Sequence, residues 1–142
     1  MTSYVVPHTP LSAATVRHDL VDDLAQHNLP ADVVDDAALV MSELVGNAVR
    51  HGAPLSGGGV RVTWEIGDRD LHLEVHDGGC GPTGRVSSVP SSYEGGRGLA
   101  IVEMLAERWG TTPTYDGGSG VYADLPLGVA VASNAARRLQ RG

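Results

Sequence analysis

Two segments in which apolar and polar residues strictly alternate constrain the fold of this chain most. Val60, Val62, Trp64 and Ile66 are each separated by a polar residue, and the same pattern returns at residues 71–75. Successive side chains of a β-strand point to opposite faces, so each segment predicts a strand with one buried face. The sequence Gly-Asp-Arg-Asp between them predicts a hairpin turn. A second layer must therefore cover one face of this hairpin.

Apolar residues at helical spacing predict three helices. The first begins at Thr9 and Pro10, where a threonine hydroxyl can cap the helix and proline suits the first helical position. The second begins near Pro30 and runs to about residue 51, with aspartates near its start, where they favour the helix dipole. The third covers residues 98–107. These helices supply the layer that the hairpin needs.

The complete pattern predicts an α+β fold. Further strands are expected at residues 4–6, 111–115 and 121–125. We expect a two-layer sandwich, with helices on one face of a mixed, mostly antiparallel sheet. A chain of 142 residues is enough for one domain with a single core, which we place at residues 1–127. The tail, residues 128–142, could form a short helix, but a frayed terminus is the preferred interpretation.

A polar stripe crosses the otherwise apolar second helix. Glu43, Asn47 and His51 follow one another at four-residue intervals, so their side chains lie on one helix face. Burying an acid and an amide without partners costs about 1 to 3 kcal/mol each. The stripe is therefore expected to face a ligand, an ion or water, although a capping or inter-helix hydrogen-bond pair is the alternative. His51 precedes a glycine, so a structural role at the helix end is as plausible as ligand contact.

Two glycine-rich segments follow downstream. The first, Asp77-Gly78-Gly79-Cys80-Gly81, closes the second alternating strand. The second, Gly96-Arg97-Gly98, precedes the third helix, where backbone N–H groups and the positive helix end can hold phosphate. The stretch between them is long for a loop in a compact domain and is interpreted as a functional lid.

The order of these motifs carries a family resemblance. Glu43-x-x-x-Asn47, then Asp77-x-Gly79-x-Gly81, then Gly96-x-Gly98 before a helix resembles the GHKL ATPase/kinase superfamily with its Bergerat fold. Within it, the chain is most similar to the small bacterial anti-sigma-factor serine kinases. The resemblance covers roughly residues 5 to 126, and its specificity comes from the motifs together.

The resemblance implies a role for each motif residue in binding ATP and Mg²⁺. Glu43 corresponds to the general base, and Asn47 to the ligand of the Mg²⁺ that bridges the phosphates. Asp77 corresponds to the acceptor of the adenine amino hydrogen. The nucleotide-binding set that the resemblance implies is Asn47, His51, Asp77, Gly79, Gly81, Gly96, Arg97 and Gly98.

The resemblance also implies a function and its partners. A serine kinase of this type phosphorylates an anti-anti-sigma partner and sequesters a sigma factor, and a homodimer is expected. The family's basic residue before the second glycine motif is missing here, where the chain reads Ser91-Ser92-Tyr93-Glu94-Gly95. This difference favours a nucleotide-switched protein-binding module as one alternative. A simple ATPase, in which Glu43 activates water, is a second alternative.

Composition excludes other classes of function. A net charge of −7 argues against direct binding of nucleic acid or an anionic membrane. No stretch is expected to act as a signal peptide or to span a membrane, so a cytoplasmic protein is expected. Gly79-Cys80-Gly81-Pro82-Thr83-Gly84 matches a dinucleotide fingerprint, but Pro90 and the residues before it do not predict the required helix.

Cys80 and the polar face of the second alternating strand each have two possible interpretations. Cys80 lies inside the first glycine motif, where oxidation could block ATP, although a spacer role is preferred. His72, Glu74 and His76 share one strand face and could bind a metal, although a solvated or subunit-contact face is the default.

Overall fold

The computed structural model describes residues 1–79, 97–112 and 118–127, and for residues 97 and 98 it describes the backbone only. The predicted tail, the lid, Cys80, Gly81 and Gly96 lie outside the described residues. Five strands and three helices are described, in the order β1 (Thr2–Val6), α1 (Leu11–Gln26), α2 (Ala31–His51), β2 (Val60–Ile66), β3 (Asp70–Asp77), α3 (Arg97–Leu105), β4 (Arg108–Thr112) and β5 (Ser119–Pro126).

The strands form one sheet in the order β1-β2-β3-β5-β4. Every described pair of neighbouring strands is antiparallel. The predicted α+β two-layer fold is confirmed, but no parallel pair is seen in the described part, so the sheet there is antiparallel rather than mixed. β5 is the last of these strands in sequence, yet it lies inside the sheet, between β3 and β4.

The hairpin of β2 and β3 has the alternation that its sequence predicts. Leu71, Leu73 and Val75 on β3 are buried, and they pair with Ile66, Trp64 and Val62 of β2. His72, Glu74 and His76 are half-buried on the other face. The apolar face packs against the helices, and α2 contacts β2, β3 and β5.

α2 is the central helix of the second layer. It packs between α1 and α3 and against the sheet, and Val40, Met41 and Val45 on it have no exposed surface. Its predicted bounds are confirmed, and Gly52 follows its last residue. α1 is tied to the sheet by two hydrogen bonds, because Asp19 accepts from the Tyr4 hydroxyl at 2.7 Å and Asp23 accepts from the Trp64 indole at 2.8 Å.

Three local predictions were wrong. No side-chain bond caps α1, and Pro10 is its N-cap, while Thr9 contributes only its backbone carbonyl, to the N–H of Ser12. α3 ends at Leu105 and not at Glu107, because the Glu107 N–H donates to Asp124 O on β5 and the chain there pairs with the sheet. For the same reason β4 begins at Arg108, three residues before its predicted start.

Candidate functional site

The C-terminal half of α2 carries the predicted stripe. Glu43 and Asn47 are half-buried, whereas His51, the last helical residue, is exposed and has an interaction of its own. No hydrogen bond or ion pair joins the Glu43 carboxylate to another residue of the described part. Among the described residues, the half-buried Glu43 carboxylate therefore has oxygens that a ligand could contact.

Asn47 has one satisfied and one unsatisfied polar atom. Its Oδ1 accepts a hydrogen bond from Arg50 Nη2 at 2.9 Å. Its Nδ2 is buried and has no hydrogen-bond partner among the described residues. Buried donors are almost always paired, so an orphaned amide nitrogen indicates that an acceptor, such as a phosphate oxygen or a water, belongs beside it.

Asp77 ends β3 as a buried carboxylate that is only 8% exposed. Its Oδ1 accepts from the Gly79 N–H at 2.6 Å. Burial raises the pKa of Asp77, although the Gly79 N–H and the charges of His8 and His76 work in the opposite direction. Its Oδ2 accepts no hydrogen bond from the described residues, and a buried carboxylate oxygen of this kind suits an amino group of a ligand.

The end of α2 fits closely against Asp77 and Gly78. A Cβ on Gly52 would lie 2.4 Å from Asp77 Oδ2, and one on Gly78 would lie 2.0 Å from Pro54 O. The Gly78 N–H donates to Ala53 O at 2.6 Å. These glycines therefore let the segment after α2 contact the end of β3, which places Asp77 next to the helix that carries Glu43 and Asn47.

The third motif reaches the same helix layer. Arg97 and Gly98 form the beginning of α3, and α3 packs against α2. The backbone thus begins a helix at the point where phosphate binding is predicted. Gly79 has a positive φ of 94°, a conformation that glycine adopts readily, whereas the predicted roles of Gly81 and Gly96 fall outside the described residues.

The predicted alternative metal cluster on β3 is a hydrogen-bond network. His72 contacts Asp124 through Nδ1 at 2.5 Å and Glu74 through Nε2 at 2.7 Å, and Glu74 also contacts His76 at 2.5 Å. No group of three or more His, Cys, Asp or Glu within the described ranges is arranged to hold a metal ion. Burial opposes protonation of His72, but its two carboxylate partners together raise its pKa.

Comparison with known proteins assigns the family. Residues 6–121 match the family described as the histidine kinase-like ATPase domain, which is most of the chain. The chain belongs to this family. The resemblance to GHKL anti-sigma kinases is thereby confirmed, and membership of a family of ATPase domains implies a nucleotide site.

The chain is similar in sequence to a known protein and in fold to a solved structure. It is 44% identical over 81 residues to the anti-sigma F factor of Clostridium acetobutylicum, over 52% of this chain and 57% of the relative. The chain thus spans little more than half the length of that relative. It also shares the fold of a crystal structure of the RsbU and RsbW domains of Rv1364c from Mycobacterium tuberculosis, with a TM-score of 0.66 and 24% identity over 87% of this chain and 31% of that one.

Sequence reasoning missed two residues beside the family's motifs. His8 Nε2 lies 3.1 Å from Ala48 O and 3.3 Å from Gly52 O, and because both are acceptors, this nitrogen carries a hydrogen and donates. Nothing in the local sequence marks His8, since only the tertiary fold brings it under the end of α2. Arg50 had a signal, because it follows Asn47 by three residues on one helix.

None of the described helices is long and apolar enough to cross a membrane.

Proposed function

We propose that this chain is an ATP- and Mg²⁺-binding regulator of the anti-sigma type that phosphorylates a serine of an anti-anti-sigma partner. The observation that carries the proposal is the grouping on and around α2. A half-buried Glu43 carboxylate and the orphaned Asn47 amide lie on a helix whose end contacts the buried Asp77. The family membership and the similarity to an anti-sigma F factor support it.

The chemistry of the site residues suits ATP and Mg²⁺. Asp77 offers a buried acceptor for the amino group of adenine, which guanine lacks at that position. Asn47 supplies an amide whose nitrogen needs an acceptor and whose oxygen is of the kind that Mg²⁺ prefers. The metal would neutralise phosphate charge during transfer. The beginning of α3 adds backbone N–H groups for phosphate.

Glu43 is proposed as the general base. It would accept the proton of the partner's serine hydroxyl as the serine oxygen bonds to the γ-phosphorus of ATP. The bond between that phosphorus and the bridging oxygen breaks, and ADP leaves with its electron pair. Proton transfer of this kind contributes about 10² to 10⁴-fold to a rate. Regulation of a sigma factor would follow from the phosphorylation state of the partner.

Substitution of Glu43 by Gln tests this role. Glu43→Gln keeps the size and cannot take a proton, so ATP affinity should stay within a few-fold while phosphoryl transfer falls by about 10²-fold or more. The matched control is Glu65→Gln, which removes the same charge at an exposed position on β2. Calorimetric titration with ATP and a radiolabel transfer assay on the co-purified anti-anti-sigma candidate provide the two measurements.

The outcomes separate the candidate functions. Wild-type transfer with a strongly reduced Glu43→Gln rate supports the kinase. Binding of ATP without transfer to any candidate favours a nucleotide-switched binding module, the alternative that the altered lid sequence suggests. Phosphate release without a partner identifies a simple ATPase. Absence of any ATP binding contradicts all three. The proposed homodimer and cytoplasmic location are tested by sedimentation and cell fractionation.

A further inference from the structure

We propose that Arg50 controls the Mg²⁺ dependence of nucleotide binding by holding the oxygen of Asn47 that a metal ion would need. The proposal rests on the proposed function, in which Asn47 is the metal ligand. It adds a positioning residue, because Arg50 acts through the orientation of the Asn47 amide and not through the reacting atoms.

The contact between the two side chains fixes which end of the amide faces the site. Arg50 has only donors, so the atom of Asn47 that it contacts at 2.9 Å must be the carbonyl oxygen. The amide nitrogen is therefore turned away from Arg50, and it is this nitrogen that is buried without a partner. With Arg50 in place, Asn47 presents a donor, which suits a phosphate oxygen and cannot bind a cation.

A metal ion and the guanidinium compete for one oxygen. Mg²⁺ binds its oxygen ligands at about 2.0 to 2.1 Å. A guanidinium nitrogen at 2.9 Å from the same oxygen would then be a few ångströms from a divalent cation, and the neutral amide offsets none of the repulsion. The amide oxygen has two lone pairs, but repulsion between the two cations favours withdrawal of Arg50 when Asn47 binds the metal. The Arg50 side chain is exposed, so it can withdraw into water.

Gly46 gives Arg50 the room to reach Asn47. Arg50 lies one turn after Gly46 on α2, and a Cβ on Gly46 would lie 3.1 Å from Arg50 Nη1. This separation is tighter than about nine in ten real Cβ contacts, so a methyl group there would displace the guanidinium by a few tenths of an ångström. Gly46→Ala therefore weakens the Arg50 contact and leaves the charge of Arg50 in the protein.

The experiment compares ATP affinity in EDTA with ATP affinity in saturating Mg²⁺, by calorimetry, for wild type and three variants. Arg50→Met removes the guanidinium and keeps a good helix former. It should raise the ratio of the affinity in Mg²⁺ to the affinity in EDTA roughly two- to fivefold, the size expected when a contact made by an exposed charged group is lost. Gly46→Ala should raise it less. Arg61→Met, which removes the same charge at an exposed position on β2, should leave it unchanged.

Each other outcome contradicts the proposal in a distinct way. If Arg50→Met weakens ATP equally with and without Mg²⁺, Arg50 is a phosphate ligand. An unchanged ratio in Arg50→Met, or a lowered ratio in Gly46→Ala, shows that the contact does not compete with the metal. If wild type binds no ATP in either buffer, the proposed function fails together with this inference, whereas a Mg²⁺-dependent wild type with unresponsive variants refutes the inference alone.

Discussion

Adding a single methyl group at Gly52 should destabilise the protein through Asp77. The Cβ of Gly52→Ala would lie 2.4 Å from Asp77 Oδ2 and 2.8 Å from Ala48 O, both below the 3.0 Å that real Cβ atoms keep. The helix carbonyl cannot retreat easily, so the carboxylate must move. The backbone at Gly52, with φ −100° and ψ −177°, is itself acceptable for alanine. The effect is therefore steric and not conformational.

The magnitude follows from what the Asp77 carboxylate loses. Displacement breaks its 2.6 Å bond from the Gly79 N–H, and a bond to a charged acceptor is worth about 1.5 to 3 kcal/mol. Overpacking adds about 1 to 3 kcal/mol. The smaller conformational freedom of alanine in the unfolded chain returns about 0.4 to 1 kcal/mol. We therefore expect the free energy of unfolding to fall by about 2 to 5 kcal/mol.

Urea denaturation followed by circular dichroism measures the effect, with Gly57→Ala as the control. A Cβ at Gly57 meets nothing within 4 Å, so this variant should have a free energy of unfolding equal to or slightly above that of wild type. Gly52→Ala should also bind ATP more weakly, because Asp77 is displaced. If Gly52→Ala and Gly57→Ala have the same stability within about 0.5 kcal/mol, the close approach of Gly52 to Asp77 does not constrain the fold.

Three further predictions concern other parts of the protein. Asp77→Asn should weaken ATP more than GTP, because the amide can present its NH₂ where adenine needs an acceptor, and equal losses in competition titrations would argue against adenine recognition there. Asp23→Ala should lower the free energy of unfolding by about 1 to 3 kcal/mol, because it leaves the indole N–H of Trp64 without its partner and Trp64 is only 2% exposed. The control Asp22→Ala, at an exposed site, should lower it by less than about 0.5 kcal/mol. Because the pKa of His72 is raised, its stabilisation of the fold is complete below its ordinary pKa of 6.5 and is lost as the pH rises through the raised pKa. Because the pKa of Glu74 is lowered, its stabilisation is present above its ordinary pKa of 4.5 and is lost as the pH falls through the lowered pKa. The difference in unfolding free energy between wild type and His72→Gln should thus be largest between pH 4.5 and 6.5, and a difference that grows above pH 7 would contradict the network.

The long periodic elements could be predicted from the sequence because local pattern and tertiary packing agree in them. α2 has the predicted bounds, since one apolar stripe serves its contacts with both helices and the sheet. β2 and β3 also follow their alternation. The end of α3 could not be predicted, because helical spacing continues past Leu105 while pairing with β5 takes the Glu107 N–H.

The candidate site was predictable in its residue types and less so in its contacts. The spacing of Glu43 and Asn47 placed both on one helix face. The contact of Gly52 with Asp77 and the donation by His8 depend on elements that are far apart in sequence. Likewise, the pairing of His72 with Asp124 depends on the register of β3 against β5, which no local pattern specifies.

The position of β5 inside the sheet has a consequence for the order of folding. β5 pairs with β3 from Asp70↔Pro126 to Asp77↔Ser119, and β4 reaches the sheet only through β5. Pairings between residues so distant in sequence form slowly, because the chain between them must be ordered first. The hairpin of β2 and β3 can form early, but one edge of β3 stays open until β5 has been synthesised. During synthesis on the ribosome, that open edge can pair with another chain.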